Sequence, residues 1–432
     1  MTSNARTLVW TCVLALAGCA PATMGSMPIA PDAPARDAAS LRHRCVTAPE
    51  AARMDCFDKG LLATMRQKGI PTALSMLDTL SAIDADVKRD GHMYAHSMGL
   101  AAYTGPAQLT ATFRQCLPIF QSGCYHGVIQ AYFSEIAGTA GIDGVTADAV
   151  NKVCGDYRAS PEGNWLLFQC VHGMGHGLSQ VSGHDLKRTL TGCDKLESPW
   201  EREGCYGGAF MENATEAFAP HHTVGRPTAE KMDHSAMGSM AGMDHGASPA
   251  TVKLIDPTDP LYPCSMLDDR YLTSCYMMQT SVMLALTHGD FADAARNCDK
   301  ISTKYRTVCY QSMGRDVSAY TQQDFTRAAA RCSIGDPLYQ PWCHNGFVKN
   351  VIDVTADYRS GVPYCRTLAR ADDKSMCYRA IGEELVVLMP ADAARAIACG
   401  DVETSFRETC LLGARVPLPK REPTTIRLLL RD

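Results

Sequence analysis

Although the 432-residue chain carries 20 cysteines, it contains no CxxC pair, and so lacks the spacing of zinc ribbons and thioredoxin-type redox sites. HExxH, GxSxG and a glycine-rich phosphate loop are missing as well, which leaves a zincin protease, an α/β-hydrolase and a P-loop nucleotide site without the residues their chemistry needs. Charge of neither sign dominates. The 41 Lys and Arg against 46 Asp and Glu give a net charge of -5 with no basic stripe, which argues against a nucleic-acid partner. The apolar run from Leu8 to Leu16 is too short to span a bilayer. What the chain does have is 46% hydrophobic residues, enough for an extended core.

Eighteen of the cysteines fall into nine close pairs: Cys45/Cys56, Cys116/Cys124, Cys154/Cys170, Cys193/Cys205, Cys264/Cys275, Cys298/Cys309, Cys332/Cys343, Cys365/Cys377 and Cys399/Cys410. Such pairing points to disulfides and to an oxidising compartment. The rival arrangement, thiolate metal clusters, needs closer spacing and a reducing environment. Bonding within each pair is expected from proximity in the repeat.

The repeat is clearest late in the chain, where Cys264, Cys298, Cys332, Cys365 and Cys399 stand 34, 34, 33 and 34 residues apart. Spacings of 38 and 39 link Cys116, Cys154 and Cys193. A steady period of this size marks stacked helical hairpins. Within one unit, Asp290 to Cys298 has apolar residues at helical spacing, and Lys304 onward opens a second helix. The first cysteine then lies near the end of helix A and the second near the start of helix B, so a disulfide staples the hairpin. Two gaps of 71 residues, Cys45 to Cys116 and Cys193 to Cys264, each cover two periods. The first holds an unstapled hairpin over Pro71 to Gly105, and the second a hairpin followed by a polar insertion. The expected fold is all-α, an α-solenoid of about ten hairpins, most of them stapled. Its parts are repeats over 41–219, an insertion over 220–262, repeats over 263–416 and a tail over 417–432. The arrangement resembles the disulfide-stapled Sel1-like repeat proteins, without their glycine, alanine and leucine signature, so no function carries across.

At the N-terminus Arg6 precedes the apolar run, which closes with Leu16-Ala17-Gly18-Cys19. This resembles a bacterial lipobox. The resemblance implies a signal peptide over 1–18, lipidation of Cys19, loss of Cys12, and, with Ala20 following, a place on the periplasmic face of the outer membrane. Residues 19–40, rich in Ala and Pro, then read as anchor and tether.

Aligning the B-helix starts exposes a candidate site. The segments Asp90-Gly-His92-Met-Tyr-Ala-His96, Cys124-Tyr-His126-Gly-Val-Ile-Gln130 and Cys170-Val-His172-Gly-Met-Gly-His176 place histidine two residues past the cysteine position, and two of them add another four residues on. Later repeats do not. Residues i and i+4 share a helix face, and equivalent positions on stacked helices face the same side, so five imidazoles are expected to converge. Glycines 173, 175 and 177 remove side chains that would block backbone approach. Glu212 and Asn213 on the next hairpin can supply an oxygen ligand, a hydrogen-bond partner for a ligand, or an acid/base, with Glu212 the catalytic candidate. Packing competes with this reading, because a histidine can simply bond a carbonyl across a tight glycine contact. His184, His288 and His344 lack such company and read as surface or packing residues.

From about Pro220 to Ser248 the insertion holds His221, His222, Met232, His234, Met237, Met240, Met243 and His245 with almost no branched aliphatic or aromatic residue. It cannot bury a core. Thioethers suit Cu(I), and imidazole also takes Cu(II). The stretch resembles the Met/His-rich segments of periplasmic copper-resistance proteins, which implies copper at the loop, whereas the histidine cluster also suits iron or zinc. Three functions are therefore weighed: a copper sequestration, delivery or resistance protein; a metal-dependent oxidoreductase or hydrolase with a mono- or dinuclear centre, by analogy of architecture with the deoxyhypusine hydroxylases; and a repeat scaffold for periplasmic protein partners, for which the later repeats offer Tyr, Arg and Gln.

Overall fold

The computed structural model describes residues 33–158, 164–218 and 254–418, and among these it is all-helical with no strand. One unit shows why. Asp290 caps a helix by accepting from the Ala292 and Asp293 N–H groups, and Phe291, Ala294, Ala295 and Cys298 form its buried stripe. Ser302 caps the next helix through the Lys304 N–H. The Cys298–Cys309 bond then locks the two together.

Among the described residues, ten such hairpins follow one another. The first five are α1 (Ala33–Val46) with α2 (Glu50–Lys68), α3 (Ile70–Ile83) with α4 (Ala85–Ala102), α5 (Leu109–Phe113) with α6 (Gly123–Ala137), α7 (Ala147–Val153) with α8 (Asn164–Val181), and α9 (Leu186–Cys193) with α10 (Pro199–Phe218). After the insertion a 3-10 turn, Cys264–Met266, replaces the first helix and pairs with α11 (Asp269–Leu286). The last four are α12 (Phe291–Lys300) with α13 (Thr303–Thr321), α14 (Phe325–Cys332) with α15 (Gln340–Thr355), α16 (Val362–Thr367) with α17 (Ala371–Leu388), and α18 (Asp392–Ala398) with α19 (Arg407–Gly413).

All nine cysteine pairs are bonded as the repeat implies. Cys45–Cys56 staples the first hairpin, Cys116–Cys124, Cys154–Cys170 and Cys193–Cys205 the third to fifth, and Cys264–Cys275 the sixth. Cys298–Cys309, Cys332–Cys343, Cys365–Cys377 and Cys399–Cys410 staple the last four. Each staple closes a short loop and contributes about 3 kcal/mol by chain entropy. The second cysteine opens helix B in some hairpins, as Cys124 does in α6 and Cys343 in α15, and sits deeper in others. Cys56, Cys275, Cys309 and Cys377 each fall in the second turn of α2, α11, α13 and α17, while Cys410 falls in the first turn of the short α19.

The second helices stack directly on one another in chain order, and four glycine pairs set their register. A Cβ on Gly99 would lie 2.0 Å from the Cys124 carbonyl, and one on Gly127 would lie 2.2 Å from that of His96. Gly175 and Gly208 hold α8 and α10 in the same way against the carbonyls of Cys205 and His172, as Gly314 and Gly346 do for α13 and α15, and Gly382 and Gly413 for α17 and α19. In the three pairs whose helices both carry a cysteine, one glycine stands five residues past it and the other three past it, and Gly127 likewise stands three past Cys124. Only a missing side chain permits this approach.

That register corrects the alignment of the first histidine segment. In α4 the cysteine position falls on Tyr94, not on Asp90, so His96 is the counterpart of His126 and His172, and His92 lies one turn earlier. Without a cysteine in α4, the sequence had no mark to fix the phase.

Two boundaries also move. Residues 33–40, expected in the tether, belong to α1, whose Ala38 and Leu41 are buried. Residues 254–262, expected in the insertion, are tied into the fold: Asn213 Nδ2 donates to the Leu254 carbonyl at 3.0 Å, and Gln279 Nε2 donates to the carbonyls of Pro260 and Tyr262, both at 2.8 Å. Cys19 and the loop positions His221, His222, Met232, His234, Met237, Met240, Met243 and His245 lie outside the described residues.

A single apolar core runs from Ala38 to Ala414. The solenoid also curls on itself: α15 packs on the 3-10 turn Phe120–Ser122, and α17 touches α8. The second helices consequently face a common cavity of about 650 Å³.

Candidate metal centre

Positions two and six residues past the second cysteine point to the concave side in repeat after repeat. His126, His172, Met211, Met277, Gln311, Arg315 and Lys349 all line the cavity. In α4, α6 and α8 the first of these positions is histidine, and the glycine contacts draw the three helices together until the imidazoles touch. Ring centroids are 4.7 Å apart for His126 and His172, 5.2 Å for His126 and His176, and 5.3 Å for His172 and His176. His92 lies 5.6 Å from His126, and His96 lies 5.9 Å from His176. The five sequence-selected histidines thus form one cluster.

Within it, His126, His172 and His176 offer ring nitrogens that all lie within 4.8 Å of one another. Donors around one tetrahedral ion with 2.1 Å bonds stand about 3.4 Å apart, so small side-chain adjustments bring the trio to bonding distance. The hydrogen bonds set the tautomers of two of the rings. His126 Nε2 sits 3.1 Å from Gln169 Oε1, an acceptor, so it carries the proton, and buried Nδ1 has no partner. His176 Nδ1 donates to Glu212 Oε2 at 2.7 Å, and buried Nε2 has no partner. Each ring therefore turns a lone pair away from its anchoring bond, as metal-bound histidines do. His172 is held by a hydrogen bond with the Gly204 backbone. Gly207 leaves the space above it open, since a Cβ there would come within 3.4 Å of His172 Nδ1.

Electrostatics favour the neutral form of His126 and His172. Burial, then the neighbouring imidazoles, holds His126 far below its ordinary value of 6.5, and burial followed by His176 and His92 does the same for His172. A neutral imidazole is the form that binds metal.

Other sequence-selected residues take different places. His92 Nδ1 bonds the Phe120 carbonyl at 2.9 Å, the packing contact that competed with a ligand role. Gln130, fully buried, donates to Gln180 Oε1 at 2.7 Å. Glu212 stands behind His176 and orients it. Asn213 anchors Leu254. His344 is a packing residue, 2.6 Å from the Tyr364 hydroxyl. His184 departs from its reading as a residue without company: its ring lies beside Glu212 and Glu216. The cysteines serve the architecture and not this centre. Cys56, Cys275, Cys377 and Cys410, like their partners, have their sulfurs committed to disulfides, so they offer no thiolate to an ion. Gln169 was missed, because only the folded register shows that the residue before Cys170 meets His126. Also unforeseen is the far wall of the cavity, where Lys349, Asp353 and Glu384 gather. Burial raises the pKa of Asp353 and Glu384.

No family model, curated protein or solved structure matches the chain.

Proposed function

We propose that this protein binds a copper ion through His126, His172 and His176, with His92 and His96 beside them, and that it serves in lipid-anchored periplasmic copper handling. The observation that carries the metal reading is the pair of buried, partnerless nitrogens, His126 Nδ1 and His176 Nε2, whose rings are anchored from behind by Gln169 and Glu212. Unpaired buried polar atoms are costly, and an ion satisfies both at once. Copper is favoured over harder ions because the donors are imidazoles, the cavity wall adds the thioethers of Met211, Met277 and Met278, and the inserted segment is rich in Met and His. The lipobox and the nine disulfides support the periplasmic location. The test is elemental analysis of the full chain purified oxidised without chelator, beside His126→Ala/His172→Ala and a deletion of 223–247. We expect copper in the parent, loss of the tightly held ion in the double variant, and reduced capacity with the tight ion retained in the deletion. A parent that holds no metal and a double variant that unfolds would replace this reading with packing.

A metal-dependent enzyme is the second reading, and one observation favours it. His126 and His172 face the cavity, whose far wall carries Asp353 and Glu384, carboxyls whose pKa burial raises, the direction an acid catalyst needs. Binding of azide to the copper-loaded protein, read by visible absorption, separates the two: a storage site saturates its positions, whereas a catalytic one keeps a position open.

A further inference from the structure

We infer that a second divalent cation binds behind the imidazole trio, between His184, Glu212 and Glu216, so that Glu212 serves both sites. The three residues come from two places brought together by the fold. Glu212 and Glu216 stand one turn apart on the same face of α10. His184 sits in the turn between α8 and α9, where its backbone takes φ 61° and its N–H donates to the Ser179 carbonyl at 2.8 Å. A ring nitrogen of His184 and one carboxylate oxygen from each glutamate lie within 4.8 Å of one another.

This is more than a group of acids. His184 Nδ1 and Glu216 Oε2 are each shielded from solvent with no hydrogen-bond partner. A cation supplies what both lack, and it also neutralises two carboxylates at one spot. One nitrogen and two oxygens suit a borderline divalent ion such as Zn(II) or Co(II). The donor set is harder than that of the imidazole trio, so the two sites prefer different metals. His184 and Glu216 are only partly buried, while Glu212 is 1% exposed. The site therefore opens outward, and its inner ligand is the carboxylate that holds His176 Nδ1 at 2.7 Å.

Glu212 thus links the sites in series: first ion, His176, Glu212, second ion. Drawing the carboxylate toward a cation weakens its hold on the imidazole, so filling one site lowers affinity at the other by the same factor.

The test is equilibrium dialysis of the full chain against Co(II), with visible spectra, for the parent and four variants. Glu216→Gln, isosteric and partly exposed, should weaken one ion about tenfold or more without touching the fold, and His184→Ala/Glu216→Gln should remove it. His126→Ala/His172→Ala should remove a different ion. Glu212→Gln should weaken both, the trio's ion by about 10–100-fold as for other supporting residues. Unchanged stoichiometry and affinity in His184→Ala/Glu216→Gln overturns the inference. Unchanged binding in His126→Ala/His172→Ala alone instead overturns the trio, so the two failures are distinguishable. The inserted segment contributes equally to every variant and cancels in the comparison.

Discussion

The hairpins before the insertion and those after it share a backbone and differ in what they put on it. Both sets are stapled, apart from the hairpin of α3 and α4, and both have glycines five and three residues past the cysteine position that bring carbonyls within about 2 Å of a would-be Cβ. Two residues past the cysteine position, however, the early repeats carry His96, His126 and His172, and the later ones carry Met277, Gln311, Asn345 and Arg379. Six residues past it, the counterparts of His176 are Ser281, Arg315, Lys349 and Glu383. In the later half several of these polar groups pair with one another: Arg315 with Asp316 at 3.0 Å, Thr280 with Asp316 at 2.6 Å, Lys349 with Glu383 at 2.8 Å. The early half leaves nitrogens of His126 and His176 open. Architecture therefore resides in cysteine and glycine, and chemistry in two positions per repeat.

The comparison breaks most directly at the staples. Replacing Cys332 and Cys343 with serine should cost about 3 kcal/mol of stability, read by denaturant unfolding, and leave the tightly held ion in place. Replacing Cys154 and Cys170 should cost a similar amount and also loosen the ion, since α8 carries His172 and His176. Equal metal retention in both would mean that the trio does not depend on the staple beneath it.

A matched glycine pair sharpens the contrast at slightly smaller cost. A Cβ on Gly208 would meet the His172 carbonyl at 1.9 Å, and one on Gly346 would meet that of Gln311 at 1.9 Å. Each change to alanine should cost about 1–3 kcal/mol through overpacking. Only Gly208→Ala should also weaken metal binding, because it forces α10, with Glu212, away from α8. Loss of metal from Gly346→Ala would show that the cavity responds as a whole.

Much of this was legible in the sequence for a physical reason: disulfide partners must be close, so a steady cysteine spacing dictates the hairpin and its period. The histidines were legible because i and i+4 share a helix face. What escaped was phase and depth. The α4 register needed Gly99 against Cys124. Gln169 meets His126 across 43 residues of chain, and His184 meets Glu212 only because the α8–α9 turn folds back over α10. The curl that makes Lys349 and Glu384 face His172 follows from small rotations accumulated over many repeats, which no single repeat encodes.

The smallest effect concerns protons, and it separates the halves by pH. In the unfolded chain a histidine titrates near 6.5, whereas His126 and His172 are held well below that value by burial and by the imidazoles around them. Between the two values the unfolded state binds more protons, so stability rises with pH there. It is fully present above 6.5 and is lost as pH falls toward the depressed values. His344 in the later half obeys the same sign: burial, then Arg370, pushes it down to about 4, and its loss is complete near that pH. Among the groups that face it, the Tyr364 hydroxyl stands at 2.6 Å and Asp373 Oδ2 at 3.6 Å. The melting temperature of the metal-free protein should therefore drop between pH 6.5 and 4, and His344→Gln should flatten part of that slope. The larger remaining part belongs to the early half, and it should flatten in His126→Gln/His172→Gln. If His344→Gln alone removed the whole slope, the buried imidazoles of the early half would have to titrate normally. The early imidazoles would then gain protons between pH 6.5 and 4 in the folded protein as in the unfolded chain, and burial would give them no added neutrality in that range.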